Sequence, residues 1–299
     1  MKVVVTGGSG FVGSHLIPEL SGRHDVFNLD IKPPTVGHAN YLQADITDQK
    51  SLKNLFKGPL GDTDAIVHLA ALSRERESNL NPQVYFDVNI SGTMNILNAC
   101  INSNCRKFIL ASSYLVYGDS DQKLPRSEKS PIQPKSIYAI TKATGEMLCN
   151  NVHLENRLEI VCFRKSVIFG EGDQSKRVVE LYLSRARQGE NLDVLGNKTL
   201  DFVFVKDVVR AYIRALENPV QGTFNIGSGS GTALRDLASW VKSATNSQAL
   251  VVDRPPGPTD VEFYVADITR MSRELDVLPT KDVKTFVEEQ VQALASISN

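Results

Sequence analysis

The sequence has no long uninterrupted run of apolar residues and no excess of charge of one sign. Near the N-terminus, residues 3–5 lead directly into Thr6 and Gly7, so this apolar run is too short for a signal peptide. Nowhere do about 18 apolar residues follow one another, as a membrane-spanning helix requires. The 33 basic and 34 acidic side chains give a net charge of −1, which argues against a broad basic surface for nucleic acid. We therefore expect a cytoplasmic protein that binds neither a membrane nor nucleic acid.

Cysteine is also scarce, with Cys100, Cys105, Cys149 and Cys162 the four in the sequence. Their positions lack the paired short spacings of a zinc site or a disulfide framework, so we expect reduced cysteines and no metal site. A chain of 299 residues is near the size at which one hydrophobic core stops growing. A cleft between two domains is therefore compatible with its length.

The first half of the chain alternates short apolar runs with longer amphipathic stretches. Residues 3–5, 25–29, 65–69, 107–111 and 160–163 are predicted to be strands. Apolar strands separated by helices favour right-handed crossovers and a parallel sheet buried on both faces, which is a doubly wound α/β fold. After about Ser166 the pattern loosens into predicted helices at 177–187, 207–217, 233–243 and 280–293. Short strands at 202–205 and 223–226 lie between them, and both are candidates to rejoin the first sheet.

A glycine-rich turn joins the first predicted strand to a helix near residues 11–20. Gly7 permits the tight turn, Gly10 admits a pyrophosphate, and Gly13 lets the helix pack closely on the strand. The phosphate would meet unpaired N–H groups at the start of this helix, at Phe11 and Val12. The turn therefore predicts a dinucleotide site, although an ordinary glycine turn is the alternative for this pattern taken alone.

Asp30 ends the next strand, about 17 residues beyond Gly13, where a carboxylate binds both ribose hydroxyls of a dinucleotide. The same carboxylate repels a 2′-phosphate, so Asp30 favours NAD over NADP. Lys32 nearby weakens that preference, and a turn or capping aspartate is the alternative role.

Tyr138 and Lys142 lie four residues apart in a stretch with a helical pattern, so they share one helix face. Ser113 follows a predicted strand, at the edge where parallel sheets bind ligands. A phenol must lose about 2 to 3 pKa units to act as a base near neutral pH, and a neighbouring ammonium and an oxidised nicotinamide both favour the phenolate. This grouping predicts hydride removal from a secondary alcohol, with Tyr138 as base and Ser113 holding the hydroxyl.

Together these residues resemble the extended short-chain dehydrogenases/reductases, in particular the NAD-dependent nucleotide-sugar epimerase/dehydratase family. The resemblance extends over nearly the whole chain, and several motifs in order carry it. They are residues 6–13, 45–46, 68–71, 89–93, 112–118, 138–142, 201–207, 225–227 and 254–260.

The resemblance implies a Rossmann-type doubly wound sheet with a smaller α/β C-terminal domain, and it assigns roles to individual residues. Ser113, Tyr138 and Lys142 would be catalytic, and NAD would be the cofactor. The residues implied to bind NAD are Gly7, Gly10, Phe11, Val12, Gly13, Asp30, Asp45, Ile46, Leu69, Ala70, Ala71, Asn89, Tyr138 and Lys142. Those expected to bind the substrate are Ser73, Ser113, Tyr138, Val167, Arg177 and Arg254.

Residues after the catalytic serine separate reaction types within this family. Dehydratases carry an Asp-Glu pair there and decarboxylating members carry a glutamate, whereas this chain has Tyr114 and Leu115. The resemblance therefore implies 4-epimerisation of a nucleotide sugar through a transient 4-keto sugar. The alternative is an NAD(P)-dependent reductase or dehydrogenase of a keto-sugar or another carbonyl compound. A sugar dehydratase and a non-catalytic NAD-binding protein are less favoured.

Two departures from the family concern the diphosphate of the sugar donor. Val167 replaces the usual asparagine before Gly170, and Leu200 replaces the usual arginine before Asp201. Arg254 is retained in the matching loop, and Lys176 or Arg177 is a candidate for a second cation; a solvated helix face is the alternative for these two.

The expected organisation has two parts. Residues 1–165 would form the NAD-binding domain, to which segments near 200–226 partly return, and residues 166–299 would mainly bind substrate. The resemblance also implies a homodimer, formed by the helix after Asn89 and the helix that bears Tyr138. His68 is predicted to be a buried structural histidine, and Glu75 to Glu77 a charged, solvent-exposed stretch that could also rim the active site.

Overall fold

The computed structural model describes residues 1–34, 40–119, 123–156, 158–174 and 177–297. A sheet of seven parallel strands lies at its centre, in the order β10-β6-β5-β4-β1-β2-β3. These strands are β1 (Lys2–Thr6), β2 (Asp25–Asp30), β3 (Asn40–Gln43), β4 (Ala65–His68), β5 (Lys107–Ser113), β6 (Glu159–Lys165) and β10 (Gly222–Ile226). Because β1 pairs with both β2 and β4, the order of the strands reverses there, and a crevice opens at their carboxyl ends. The sheet is the Rossmann-type doubly wound fold that the sequence predicts.

Both faces of the sheet are buried, which explains why its strands are apolar without alternation. Val3 and Val5 pack into the core on one face, whereas Val4 packs into the core on the other. Val67 and Ile66 of β4 divide between the two cores in the same way. Successive side chains of a strand point to opposite faces, so the inner strands contribute to both cores.

Helices cover the two faces of the sheet and the second half of the chain. They are α1 (Phe11–Ser21), α2 (Gln49–Lys57), α3 (Glu75–Leu80), α4 (Pro82–Phe86), α5 (Gly92–Ile101), α6 (Ile137–Asn156), α7 (Val178–Arg187), α8 (Val205–Glu217), α9 (Leu234–Ala244), α10 (Thr269–Leu275) and α11 (Val283–Ile297). The last helix begins three residues later than predicted, because Asp282 binds the backbone N–H of Thr285 at 2.9 Å and caps it. No helix in the described ranges is both long enough and apolar enough to span a membrane.

The remaining strands form two smaller sheets. The four-stranded sheet contains β7 (Val167–Phe169), β9 (Thr199–Phe204), β11 (Gly231–Ala233) and β13 (Phe263–Tyr264), and the parallel pair contains β8 (Leu192–Leu195) and β12 (Val251–Arg254). Of the two later strands that the sequence considers for the first sheet, β10 lies in it, whereas β9 lies in the four-stranded sheet. An apolar strand can be buried in either sheet, and its long-range partner decides which one it joins.

Candidate active site

The turn between β1 and α1 adopts a conformation that only glycine tolerates at two positions. Gly7 has φ +69°, and a Cβ there would lie 2.5 Å from the backbone nitrogen of Ala70. A Cβ on Gly13 would lie 2.5 Å from the Cα of Gly8. The first glycine thus brings β1 close to the chain after β4, and the second lets α1 begin directly over the turn.

The start of α1 presents backbone donors to an open cavity. Gly10 precedes the helix without a side-chain cap, and its own N–H binds the Gly7 carbonyl at 3.1 Å. The N–H groups of the first helical turn, at Phe11 and Val12, have no acceptor within the helix. These donors and the positive end of the helix dipole fit the pyrophosphate of NAD.

Asp30 lies at the carboxyl end of β2 and lines the same cavity. One carboxylate oxygen accepts the Ser9 N–H at 3.0 Å, and the other accepts the Lys32 N–H at 2.9 Å. A carboxylate oxygen has a second lone pair, so both can still accept a ribose hydroxyl. The backbone therefore fixes Asp30 in an orientation that fits the adenosine ribose of NAD.

The cavity has a volume of about 510 Å³ and extends from the glycine turn to the ends of β5 and β6. Asn89 does not line it. Its side chain instead binds the backbone N–H of Leu72 at 2.8 Å, the Leu72 carbonyl at 3.0 Å and the Thr141 hydroxyl at 3.0 Å, so it supports the cavity wall from behind. The other residues expected to bind NAD all line the cavity: Gly7, Gly10, Phe11, Val12, Gly13, Asp30, Asp45, Ile46, Leu69, Ala70, Ala71, Tyr138 and Lys142.

Ser113, Tyr138 and Lys142 meet in this cavity. Ser113 is the last residue of β5, and Tyr138 and Lys142 lie one turn apart on α6. The Ser113 side chain is close enough to the Tyr138 phenol to lower its pKa, and the Lys142 ammonium lies 5.8 Å from the centre of the Tyr138 ring. The predicted catalytic residues are therefore close enough to act on one substrate hydroxyl.

In the protein by itself, burial has the largest influence on the pKa values of Tyr138 and Lys142. It raises the pKa of Tyr138 to about 12, although the Ser113 side chain and the nearby Arg177 act in the opposite direction. Burial also lowers the pKa of Lys142 to about 8. The cations of the chain therefore do not by themselves make Tyr138 a base at neutral pH, and the positive charge of an oxidised nicotinamide has to contribute.

A buried ion pair behind the catalytic residues joins α6 to β6. Glu146, two turns after Tyr138 on α6, binds Arg164 of β6 with Nη2–Oε2 and Nε–Oε1 distances of 2.6 and 3.0 Å. The Glu146 carboxylate also accepts the hydroxyl of Ser112, the residue before Ser113. We call the ion pair between these two side chains the Arg164–Glu146 pair. The sequence indicates only that Glu146 shares one face of the helix with Tyr138 and Lys142, because the three residues are spaced four apart.

Two charged side chains line the cavity without being among the predicted site residues, although Glu75 belongs to the stretch that the sequence allows at the rim of the active site. Lys165, the last residue of β6, lines the cavity, and burial together with Lys142 and Arg177 lowers its pKa to about 7. Glu75 also lines the cavity instead of pointing only to solvent, and burial raises its pKa. Lys165 lies two residues beyond the predicted strand 160–163, so its place opposite Ser113 emerges only from the pairing of β6 with β5. For Glu75, the neighbouring charges in the sequence favoured a solvated stretch.

The residues expected to bind substrate divide into two groups. Ser73, Val167 and Arg177 line the cavity, as do Ser113 and Tyr138, and the Arg177 guanidinium lies 5.3 Å from the centre of the Phe11 ring. Lys176 lies outside the described residues.

Arg254 is not among the residues that line the cavity. Its side chain is half exposed and binds Asp193 with an Nε–Oδ1 distance of 3.0 Å. Leu200 is buried in the four-stranded sheet. His68 is buried between the hydroxyls of Thr6 and Thr93, at 2.7 and 3.0 Å, which confirms its structural role.

Comparison with known proteins agrees with this site. The model of the NAD dependent epimerase/dehydratase family matches residues 3–227. A provisionally named UDP-glucose 4-epimerase of Methanocaldococcus jannaschii is 31% identical over 97% of both chains. A UDP-glucuronate 4-epimerase of Arabidopsis thaliana is 28% identical over 98% of this chain and 75% of its own. The crystal structure of UDP-glucose 4-epimerase from Thermotoga maritima has a TM-score of 0.91 and 27% identity over the whole of both chains.

Proposed function

The chain belongs to the NAD dependent epimerase/dehydratase family, and from that premise we propose that it is a 4-epimerase of nucleotide sugars. One observation carries the proposal. Ser113, Tyr138 and Lys142 line one cavity wall together, and neither Tyr114 nor Leu115, which follow Ser113 in the chain, offers the carboxylate that dehydration requires there. The site is thus equipped to remove and return one proton at one hydroxyl.

In the proposed reaction, Ser113 and Tyr138 bind the C4 hydroxyl of the sugar, and Tyr138 takes its proton. When bound, NAD would supply a reversible hydride acceptor for C4. Lys142 lies on the same face of α6 as Tyr138, where its ammonium would favour the phenolate and would hold the nicotinamide ribose of bound NAD. The ketone turns its other face toward the cofactor before Tyr138 gives the proton back, which inverts C4.

The cation for the sugar diphosphate is proposed to be Arg177. Val167 and Leu200 cannot bind phosphate, whereas Arg177 lines the cavity and is held in place by Asp173 at 2.8 Å. A guanidinium can bind two phosphate oxygens at once. Arg254, the last residue of β12, is bound to Asp193 and does not line the cavity, so its role in substrate binding stays a prediction.

The test is incubation of the holoenzyme with UDP-, GDP- and dTDP-sugars, with the product followed by NMR. We expect inversion at C4 without net consumption of NADH, and loss of turnover with retained NAD in Tyr138→Phe. Net oxidation of NADH by an added keto-sugar would instead favour the reductase, to which the aliphatic Val167 points. A product unsaturated or deoxygenated at C6 would indicate a dehydratase, with Glu75 as its acid.

We also propose that residues 1–165 form the NAD-binding domain and residues 166–299 mainly bind substrate, with β10 supplied to the first sheet by the second part. A cytoplasmic location is proposed as well. The four free cysteines, of which Cys149 and Cys162 are buried in mutual contact without a disulfide, are consistent with a compartment that keeps thiols reduced.

A homodimer formed through α5 and α6 is proposed from an apolar stripe on α6. Ile140, Met147 and Leu154 recur every seven residues, lie on one face and are 39, 63 and 80% exposed. Such a stripe is normally covered by another helix. Met147→Glu should convert a dimer into a monomer in light scattering, whereas Leu278→Glu, at an exposed leucine outside this face, should not. A monomeric wild-type protein would contradict the proposal.

A further inference from the structure

Glu75 brings a carboxyl group into the cavity beside Tyr138. It is the first residue of α3, which packs against the start of α6. The Ser78 hydroxyl on α3 accepts the backbone N–H of Tyr138 at 3.0 Å, and the Asn79 side chain accepts that of Ile137 at the same distance. Glu75 lies one turn earlier on the helix that these bonds fix. Glu75 and Tyr138 both line the cavity, and the Glu75 charge is among those that raise the pKa of Tyr138.

The rest of the protein does not satisfy this carboxyl group. The Oε1 atom of Glu75 is buried and has no hydrogen-bond partner within the described part of the chain. Lys198 is the cation with the largest effect on Glu75, but it is already bound to Asp260 with an Nζ–Oδ1 distance of 2.6 Å. The Ser136 side chain is close enough to lower the pKa of Glu75, but a carboxylate can accept about four hydrogen bonds. A buried acceptor without a partner is unfavourable, so a donor that comes with a ligand would stabilise it.

Assistance to the catalytic base does not explain a carboxyl group at this position. A negative charge near the Tyr138 phenol opposes the loss of its proton, and burial already raises the pKa of Tyr138 to about 12. An apolar side chain in place of Glu75 would therefore serve proton transfer better. Contact with the substrate does explain it, because a carboxylate accepts hydrogen bonds and the hydroxyls of a sugar donate them.

The neighbourhood of Tyr138 limits which hydroxyl this is. In the proposed reaction the C4 hydroxyl binds at Tyr138. The ring carbons on the two sides of C4 carry the C3 hydroxyl directly and the C6 hydroxyl through the exocyclic carbon. Both are neutral donors, so the chemistry that recognises them is the same.

We propose that Glu75 is a specificity-determining residue that accepts a hydrogen bond from a sugar hydroxyl beside the reacting one, at C3 or at C6. The inference rests on the proposed 4-epimerase function, because that function places C4 at Tyr138. Glu75 thus selects among sugars by the hydroxyl that they retain beside C4, whereas Arg177 holds the diphosphate that all of them share.

The test compares UDP-glucose with its 3-deoxy and 6-deoxy analogues, with C4 inversion by the holoenzyme followed by NMR. We expect wild type to lose about ten- to a hundredfold in kcat/KM with one of the two analogues, as for a hydrogen bond to a charged group. In Glu75→Leu that loss should shrink to about twofold, because the acceptor is absent. Glu75→Gln keeps one acceptor oxygen and should fall between the two. Effects of the missing hydroxyl on the chemistry itself are common to all variants and cancel in this comparison.

Glu77→Gln is the matched control. Glu77 lies on the same helix, is exposed, binds Arg74 at 2.8 Å and is not among the residues that line the cavity. This variant should show the same loss as wild type with each analogue. Wild type that loses no more than about twofold with both analogues, or a loss of equal size in Glu75→Leu, would overturn the proposal.

Calorimetric binding to the Tyr138→Phe holoenzyme separates this result from a failure of the epimerase function. If no sugar is inverted, weaker binding of one deoxy analogue than of UDP-glucose still supports the role of Glu75, provided that the difference disappears in Tyr138→Phe/Glu75→Leu. Equal binding of the three ligands contradicts it.

Discussion

Loss of charge at Glu146 should destabilise the protein far more than the same change in an exposed ion pair. Glu146→Gln keeps the shape of the side chain but removes the negative charge from the Arg164–Glu146 pair. Both side chains are almost inaccessible, at 4 and 5% exposure. The new amide group can accept from Arg164 at only one of the two carboxylate positions, so the guanidinium remains buried with an uncompensated charge.

The magnitude follows from burial. Removal of one partner from a buried pair costs about 3–5 kcal/mol, because the remaining charge cannot be solvated. At about 1.5–2 °C for each kcal/mol in a chain of 299 residues, the melting temperature should fall by about 5–10 °C. Turnover should fall as well, because Glu146 ties the helix of Tyr138 and Lys142 to the strand residue next to Ser113.

Glu274→Gln provides the matched control. Glu274 also binds an arginine through both oxygens, Arg270 at 2.7 and 2.8 Å, but about a third of each side chain is exposed. An exposed pair contributes at most about 1 kcal/mol. Melting of both variants, followed by circular dichroism or calorimetry, compares the same chemistry in two environments. Equal losses in melting temperature would refute the reasoning from burial.

Three further predictions concern the cavity. Gly7→Ala should lower the free energy of unfolding by about 2–5 kcal/mol in chemical denaturation, because the φ of Gly7 is +69° and the new Cβ would overlap the Ala70 backbone. Gly22→Ala is the control. Its new Cβ would have no atom within 4 Å, so the free energy of unfolding should change by less than about 1 kcal/mol. Asp30→Asn should lower the preference for NAD over NADP by about tenfold or more in calorimetric titrations, because repulsion of the 2′-phosphate is lost; an unchanged ratio would contradict the assigned ribose contact. Lys165→Met should raise the melting temperature of the substrate-free protein below about pH 7, where the folded wild type must carry the buried charge. The difference in melting temperature between Lys165→Met and wild type should become smaller as pH rises from 7 toward the ordinary lysine pKa, because Lys165 then loses its proton in the folded protein but keeps it in the unfolded chain. A difference that does not change with pH would indicate an effect of packing alone.

The large sheet was predictable because its determinants are local. Six of its seven strands contain a short β-branched or apolar run, whereas β3, the polar edge strand Asn40–Gln43, was not predicted and follows β2 with no helix among the described residues between them. The location of β9 was not predictable in the same way, because its apolar residues fit either sheet equally well. Only its pairing with β7, β11 and β13 decides the matter, and these partners lie far away in the sequence.

The same distinction holds for the cavity. Gly7, Gly10 and Gly13 form one turn, and Tyr138 and Lys142 lie on one helix, so spacing alone places them. Lys165 becomes conspicuous only once β6 is known to pair with β5 in the register that sets it opposite Ser113. The Arg164–Glu146 pair depends on the packing of α6 against that strand, which the sequence does not specify.

The position of β10 restricts how proteins of this architecture can exchange their substrate-binding halves. A junction near residue 165 separates β6 from the strand that completes the sheet beside it, where Asn225 faces Arg164 and Ile226 faces Lys165. A chimera would import not only a new sugar pocket but also a new edge strand, whose register must match a foreign β6. Substrate specificity should therefore be changed with less loss of folding by single substitutions around the cavity, such as those at positions 165, 167 and 200, than by replacement of the whole C-terminal half.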